Sequence, residues 1–124
     1  MEYSGAAAYV NAKASGMLGK AFVGSRASRL FSVKSLPELW TLVFNTEVPL
    51  MPQAMLGQKI EEEAEKRFID QFTSLVEMYS NPHRIFTVLL HYYDIENLKE
   101  IGAALASKES DMPHITELGS YSLL

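Results

Sequence analysis

The chain has 124 residues, of which 48% are hydrophobic and 21% charged, a balance typical of one globular domain rather than a disordered tail. It contains no cysteine, which excludes disulfides, thiolate zinc sites and cysteine nucleophiles. The formal net charge of -4 argues against general nucleic-acid affinity, which requires a basic surface.

The first predicted helix covers roughly residues 4–23. Small side chains four residues apart, at Ala8, Ala12 and Gly16, form a ridge along it. Because small residues let two helices approach closely, Gly16 and Gly19 predict a tight helix crossing. Apolar residues recur along the same stretch at helical spacing, at Val10, Ala14, Met17, Leu18, Ala21 and Phe22.

A second helix begins with a capping box at residues 35–38, in which Ser35 accepts from the backbone and Glu38 reaches back. Pro37 lies in the first turn, where its missing N–H group costs nothing. A short apolar helix follows, and the prolines of residues 48–52 stop it.

The third predicted helix, residues 53–79, has the clearest pattern, with glutamates and basic residues opposite one apolar face. That face consists of Leu56, Ile60, Ala64, Phe68, Phe72, Leu75, Val76 and Tyr79. The fourth helix covers residues 82–107, and its half from Ile85 to Ile95 is apolar nearly all round, which predicts burial on more than one side. The short link between these helices predicts a long antiparallel hairpin. The sequence therefore predicts an all-α fold, an elongated bundle of about four helices.

Candidate chemical groups are few. His91 and Asp94 could share a helix face, and with Glu96 nearby they suggest a metal or acid–base site. Bundle metal sites, however, use several inward carboxylates with Glu-x-x-His repeats. No phosphate-binding glycine loop or nucleophile elbow is present in the sequence. We therefore predict no catalytic residue, no metal and no cofactor.

Charge is distributed unevenly. Residues 1–34 carry five basic residues against Glu2, whereas the remaining chain carries six basic and fourteen acidic residues. Such a dipole either orients the protein between an anionic surface and a basic partner or has no functional meaning. The candidate partner-binding residues are Lys13, Lys20, Arg26 and Arg29.

Two segments resemble one known family. They are Tyr9-Val10-Asn11-Ala12-Lys13 and Tyr93-Asp94-Ile95-Glu96-Asn97-Leu98-Lys99. They resemble the C/d subunits of V-type and A-type ATPases, whose first helix carries Tyr-x-Asn-Ala-Arg and whose later long helix carries Asp-x-x-Asn-Leu-Lys. The matching positions are Tyr9, Asn11, Ala12, Asp94, Asn97 and Leu98.

The resemblance implies a cytoplasmic, non-catalytic rotor subunit that joins the central shaft to the membrane proteolipid ring. It implies peripheral attachment to the membrane and no nucleic-acid partner. Lys13 departs from the family arginine. Family members are also about three times as long, so residues 1–107 would be the first of three helical units, and residues 108–124 a loop leading into a truncated second unit.

Asn11 and Asn97 have a structural interpretation, because helix amides can bond across a packed interface or to a backbone end. We expect Asp94 to pair with Lys13. Two other interpretations remain open: a stand-alone helical protein-interaction module, which a natural reading frame ending at Leu124 would favour, and a small helical enzyme or metal protein centred on His91 and Asp94.

Overall fold

The computed structural model describes residues 2–108 and 112–124. These residues form five α-helices and two short 3-10 turns, with no strand among them, so the all-α prediction is confirmed. The helices are α1 (Tyr3–Lys20), α2 (Ser28–Ser32), α3 (Leu36–Phe44), α4 (Gln53–Val76) and α5 (Arg84–Ser107), and the 3-10 turns are Gly24–Ala27 and Gly119–Tyr121. The sequence predicted about four helices, and the short α2 was not among them.

The chain divides into two compact units. The amino-terminal unit consists of residues 4–64, and the carboxy-terminal unit of residues 1–3 and 65–124. Helix α4 contributes its first half to one unit and its second half to the other. Each unit has a small hydrophobic core of its own.

Helix α1 ends earlier than predicted, at Lys20, and Arg26 binds carbonyl groups at that end. Arg26 Nε donates to Ala21 O at 2.8 Å, and Arg26 Nη2 donates to Leu18 O at 2.9 Å. The tight helix crossing predicted at Gly16 and Gly19 is wrong for the described residues, none of which places an atom from outside the local helix within 4 Å of a Cβ built at either glycine.

The Ser35 half of the capping box predicted for the second helix is confirmed at the start of α3. Ser35 Oγ accepts from Glu38 N at 3.3 Å, while Glu38 Oε2 accepts from Lys34 N at 3.0 Å, one residue earlier than the box specifies. Asn45 ends the helix in a left-handed conformation with φ 53°, and its N–H group donates to Thr41 O.

The core of the amino-terminal unit lies between α3 and the first half of α4. Its buried members are Trp40, Phe44 and Leu56. The rings of Trp40 and Phe44 meet edge to face, with centroids 4.6 Å apart, and Trp40 Nε1 donates to Thr46 Oγ1 at 3.1 Å. The indole thus buries its ring and still satisfies its one donor.

The carboxy-terminal unit is built around Ile69, Leu90 and Leu118. The predicted apolar face of α4 named Phe68 and omitted Ile69, whereas Ile69 is 2% exposed and Phe68 49% exposed. Aromatic contacts join Phe68 to Tyr93 of α5, with centroids 6.4 Å apart. The antiparallel hairpin itself stays a prediction.

Helix α5 is less buried than its composition suggests. Only Leu90, Asp94 and Asn97 are buried along it. The expectation of burial on more than one side between Ile85 and Ile95 is wrong, because one face of that stretch is exposed. This exposed α5 face consists of Ile85, Val88, Leu89, Tyr92 and Ile95.

Residues beyond α5 were predicted to be a loop, and residues 112–118 are irregular before the turn at Gly119–Tyr121. Positions 109–111 of that predicted loop lie outside the described residues. Within the described part of the chain, no helix has both the length and the apolar character needed to span a membrane.

Candidate functional site

The most distinctive polar site is on α5, where Asp94 and Asn97 are buried at 3% and 4% exposure. Because helical residues three apart share a face, both side chains project toward the same neighbouring segment. That segment is the irregular stretch of residues 116–124, which includes the turn at Gly119–Tyr121 and is here called the terminal segment. Asp94 and Asn97 together are here called the α5 clamp.

Asn97 bonds both polar groups of one backbone residue. Its Nδ2 donates to Thr116 O at 2.8 Å, and its Oδ1 accepts from Thr116 N at 2.8 Å. This pairing resembles one rung of a β-ladder, with a side-chain amide in place of a second strand. Both polar atoms of the buried Asn97 amide therefore have a hydrogen-bond partner, as buried polar groups require.

Asp94 holds the other end of the terminal segment. One carboxylate oxygen accepts from Ser122 Oγ and the other accepts from Leu123 N, each at 2.7 Å. Hydrogen bonds to a carboxylate are among the stronger ones in proteins. The four bonds of the α5 clamp therefore fix the terminal segment at both ends.

Apolar and polar contacts fill the space between the two ends. Leu118 is buried against Ile69 and Leu90, and Tyr121 packs on the same core. Thr116 Oγ1 donates to Glu65 Oε1 on α4. The terminal segment is thus an integral part of the carboxy-terminal unit.

Two tyrosines beside the clamp have altered acidity. Burial raises the pKa of the Tyr93 phenol above its ordinary 10.0, and the charges of Glu65 and Tyr92 raise it further. Burial also raises the pKa of Tyr121, with Glu77 adding to the effect. Both phenols remain neutral donors at physiological pH.

Leu98 and Lys99, at the end of the Tyr93–Lys99 motif, lie at the surface. Leu98 is 53% exposed. Lys99 Nζ lies 2.6 Å from Glu96 Oε1 in an exposed ion pair, and the hydrogen bond to Glu96 raises the pKa of Lys99. The buried side chains of Asp94 and Asn97 therefore bind the terminal segment, whereas those of Leu98 and Lys99 are exposed to solvent.

The first motif lies on α1, in the amino-terminal unit. Tyr9, Asn11 and Ala12 are exposed there, and the Asn11 amide makes no hydrogen bond to any residue in 2–108 or 112–124. Lys13 Nζ lies over the Tyr9 ring, 5.9 Å from its centroid. The structural interpretation therefore applies to Asn97, and the structure gives no such bond for Asn11.

The candidate basic residues all lie in the amino-terminal unit. Arg26 binds the end of α1, and Arg29 lies 6.0 Å from the centroid of the Phe22 ring. Lys20 is the last residue of α1, where a cation is favourable for the helix dipole. Three of the four side chains, those of Lys13, Arg26 and Arg29, thus make contacts within the protein.

The sequence did not predict the hydrogen-bond partners of Asp94. Lys13 was expected, while the structure gives both carboxylate oxygens to Ser122 and Leu123. A backbone N–H partner has no signature in a sequence, so only the serine could have been suggested. The Lys13–Asp94 pairing stays a prediction, and its test is a double-mutant cycle with Lys13→Ala and Asp94→Ala.

The described residues contain no group of three histidines or acids placed to hold a metal ion. Each carboxylate oxygen of Asp94 accepts a hydrogen bond from the terminal segment. The arrangement around α5 can therefore hold a peptide segment in place.

Comparison with known proteins finds a distant relative. This chain is 28% identical over 115 residues to a protein of Treponema pallidum (strain Nichols) that is described as an uncharacterized protein. The match covers 93% of this chain and 34% of that protein, so the chain spans about a third of the relative's length. No protein-family model and no solved structure matches the chain.

Proposed function

We propose that this chain is part of a non-catalytic rotor subunit of a V-type or A-type ATPase or ATP synthase, of the C/d family. In this role it links the central shaft to the membrane proteolipid ring and transmits rotation that is coupled to ion transport. It would act in the cytoplasm, attached to the membrane surface through the complex. It would need no cofactor.

The observation that carries this proposal is the α5 clamp. Asp94 and Asn97 belong to the longer of the two motifs on which the resemblance rests, and each makes two hydrogen bonds to the terminal segment. Polar side chains used in this way hold backbone in place rather than meet a substrate. That use suits a mechanical part, because torque transfer requires rigid elements.

The proposal also assigns this chain to one unit of a longer protein. The resembled family has members roughly three times as long as this chain, built from three similar helical units. A chain that corresponds to one unit would cover about a third of such a protein, and the share here is 34%. Residues 1–107 would then form one unit and residues 108–124 the passage into the next.

The finer architecture belongs to the same proposal. We expect an elongated bundle in which α4 and α5 are the arms of a long antiparallel hairpin. The contact of Phe72 with Phe86, with ring centroids 6.4 Å apart, supports this pairing near the link between the two helices. Small-angle X-ray scattering of the purified chain tests it, since a globular profile would contradict an elongated bundle.

A pull-down from detergent-solubilised membranes of the source cells tests the function, with the tagged chain as bait and mass spectrometry as readout. We expect recovery of the proteolipid and central-shaft subunits. Recovery of neither, from membranes shown to contain the assembled ATPase, would contradict the proposal for this chain.

Charge reversal makes the test sharper. Lys13→Glu with Arg29→Glu should weaken recovery of the ring, more strongly at low salt than at high salt, because salt screens exposed charges. Lys59→Glu with Lys66→Glu on α4 makes the same change in net charge and serves as the matched control. Equal recovery with both pairs at low salt would remove the basic residues from the interface.

The exposed α5 face favours a second candidate, a stand-alone helical protein-interaction module. Contiguous exposed apolar side chains mark sites of protein association more often than ordinary surface. Under this alternative, the bait would recover a different, identifiable partner, and Leu89→Asp with Tyr92→Asp would abolish that recovery. A natural reading frame ending at Leu124 would favour it further.

A further inference from the structure

We propose that residues 18–34 form a docking surface for an anionic lipid membrane. This stretch, here called the basic segment, runs from the end of α1 through α2 to the residue before the α3 cap. It contains four basic residues and no acidic residue. No residue in it is buried, which is unusual for a stretch with so many apolar side chains.

Large apolar side chains of the basic segment face solvent. Phe31 is 87% exposed and Leu18 is 60% exposed, with Val23 at 45%. Soluble proteins normally bury a phenylalanine, since its ring is among the largest apolar side chains. In a segment that rests on a bilayer, such side chains enter the boundary between headgroups and acyl chains.

The positive charges of the basic segment are not neutralised within the protein. Lys20, Arg26, Arg29 and Lys34 form no ion pair with any residue of the described ranges. Arg26 bonds only to backbone carbonyls, and Arg29 lies beside the Phe22 ring. All four charges therefore remain available to anionic groups outside the molecule.

Composition and charge favour a lipid surface over an acidic protein. Apart from its cations, the basic segment has only serines as polar side chains, so it offers few of the directional groups that protein interfaces use. A bilayer instead offers an apolar interior beneath phosphates, which matches exposed Phe31 and Leu18 beside lysines and arginines. Residues 35–124 carry fourteen acids against six bases, so an anionic bilayer repels the remainder and attracts only this part.

Co-sedimentation of the full chain with large vesicles tests the proposal. One set of vesicles contains phosphatidylcholine alone, and the other contains added anionic phosphatidylglycerol. We expect binding to the anionic vesicles only. Binding should weaken as salt is added, because the Debye length falls from about 10 Å at 0.1 M to about 3 Å at 1 M.

Two variants separate the charged from the apolar contribution. Lys20→Gln with Lys34→Gln removes two unpaired cations and should lower vesicle affinity about 30-fold. Phe31→Ser should lower it about tenfold. Lys59→Gln with Lys66→Gln removes the same charge from α4 and should leave affinity unchanged, with circular dichroism verifying that every variant remains helical.

Absence of binding to anionic vesicles at low salt, or equal binding to neutral vesicles, would overturn the proposal. Equal losses of vesicle affinity in the Lys20/Lys34 and Lys59/Lys66 variants would overturn it as well. Binding to heparin without binding to vesicles would assign the basic segment to an acidic macromolecule and would also overturn it. The vesicles contain no protein, so the result does not depend on the proposed rotor function.

Discussion

Asn97 is the single residue whose amide holds the terminal segment at Thr116. Asn97→Asp keeps the shape but replaces the Nδ2 donor with an oxygen that faces Thr116 O, leaving a buried carbonyl without its partner. Such a loss costs about 1–3 kcal/mol. We expect urea unfolding to show that decrease, and amide hydrogen exchange to show faster exchange at Thr116.

Asn11→Asp is the matched control for this prediction, because it makes the same chemical change at an exposed position of α1. Its effect on the free energy of unfolding should stay within about 0.5 kcal/mol. Similar decreases in the free energy of unfolding for the two variants would contradict the assignment of the Asn97 effect to its hydrogen bonds with Thr116.

We expect Tyr93 and Tyr121 to make the stability of the carboxy-terminal unit fall at alkaline pH. Their pKa values are raised above 10.0 in the folded protein, so the unfolded chain ionises first. The stability linked to these phenols is therefore fully present below pH 10.0 and is lost as pH rises above it. Urea unfolding across this range should show the decline.

Removing the phenols provides the check. Tyr93→Phe should flatten part of the decline, and Tyr93→Phe with Tyr121→Phe should flatten more of it, because neither phenylalanine can ionise. An unchanged slope in the double variant would contradict the assignment of the pH dependence to these two residues.

At the scale of elements, the start of α3 depends on Ser35. Ser35→Ala removes the acceptor for Glu38 N and should lower the free energy of unfolding by about 1 kcal/mol. Ser15→Ala, at an exposed position inside α1, is the control and should leave stability unchanged or slightly raised, since alanine favours helix. Chemical denaturation followed by circular dichroism measures both.

The elements with strong local signals were predictable from sequence. Ser35 with Glu38 marks the start of α3, and the pattern after Pro52 predicts α4 from Gln53. Helix α2 was missed because five residues are too few to show a 3.6-residue period. Its arginines and serines also suggested no cap.

The site was predictable only in part, because its other half is distant in sequence. Asp94 and Asn97 were named from their motif, yet their partners lie 19 to 29 residues later and are mostly backbone groups. The burial of Ile69 rather than Phe68 was also not predictable from local sequence. Both are apolar neighbours on α4, and the buried one contacts Leu118, which is about 50 residues later.

At the scale of the whole molecule, two small cores replace a single large one. Leu90 is 1% exposed at the centre of the carboxy-terminal core, so Leu90→Ala should cost about 2–5 kcal/mol. Because the total stability of such a domain is about 5–15 kcal/mol, this change should shift thermal unfolding strongly. Hydrogen exchange should become faster chiefly within residues 65–124.

Leu98→Ala makes the same truncation eight residues further along α5, where the side chain is 53% exposed. We expect a change within about 0.5 kcal/mol for this control. Equal destabilisation by the two alanines would mean that the core around Leu90 does not dominate this unit.

The location of the chain's one tryptophan gives the protein a built-in optical label. Trp40 is enclosed in the amino-terminal core and bonded to Thr46, so its emission spectrum reports the integrity of that core alone. No other tryptophan contributes to this signal, because Trp40 is the one tryptophan of the sequence. Unfolding of the amino-terminal core can therefore be followed by tryptophan fluorescence in an unmodified sample.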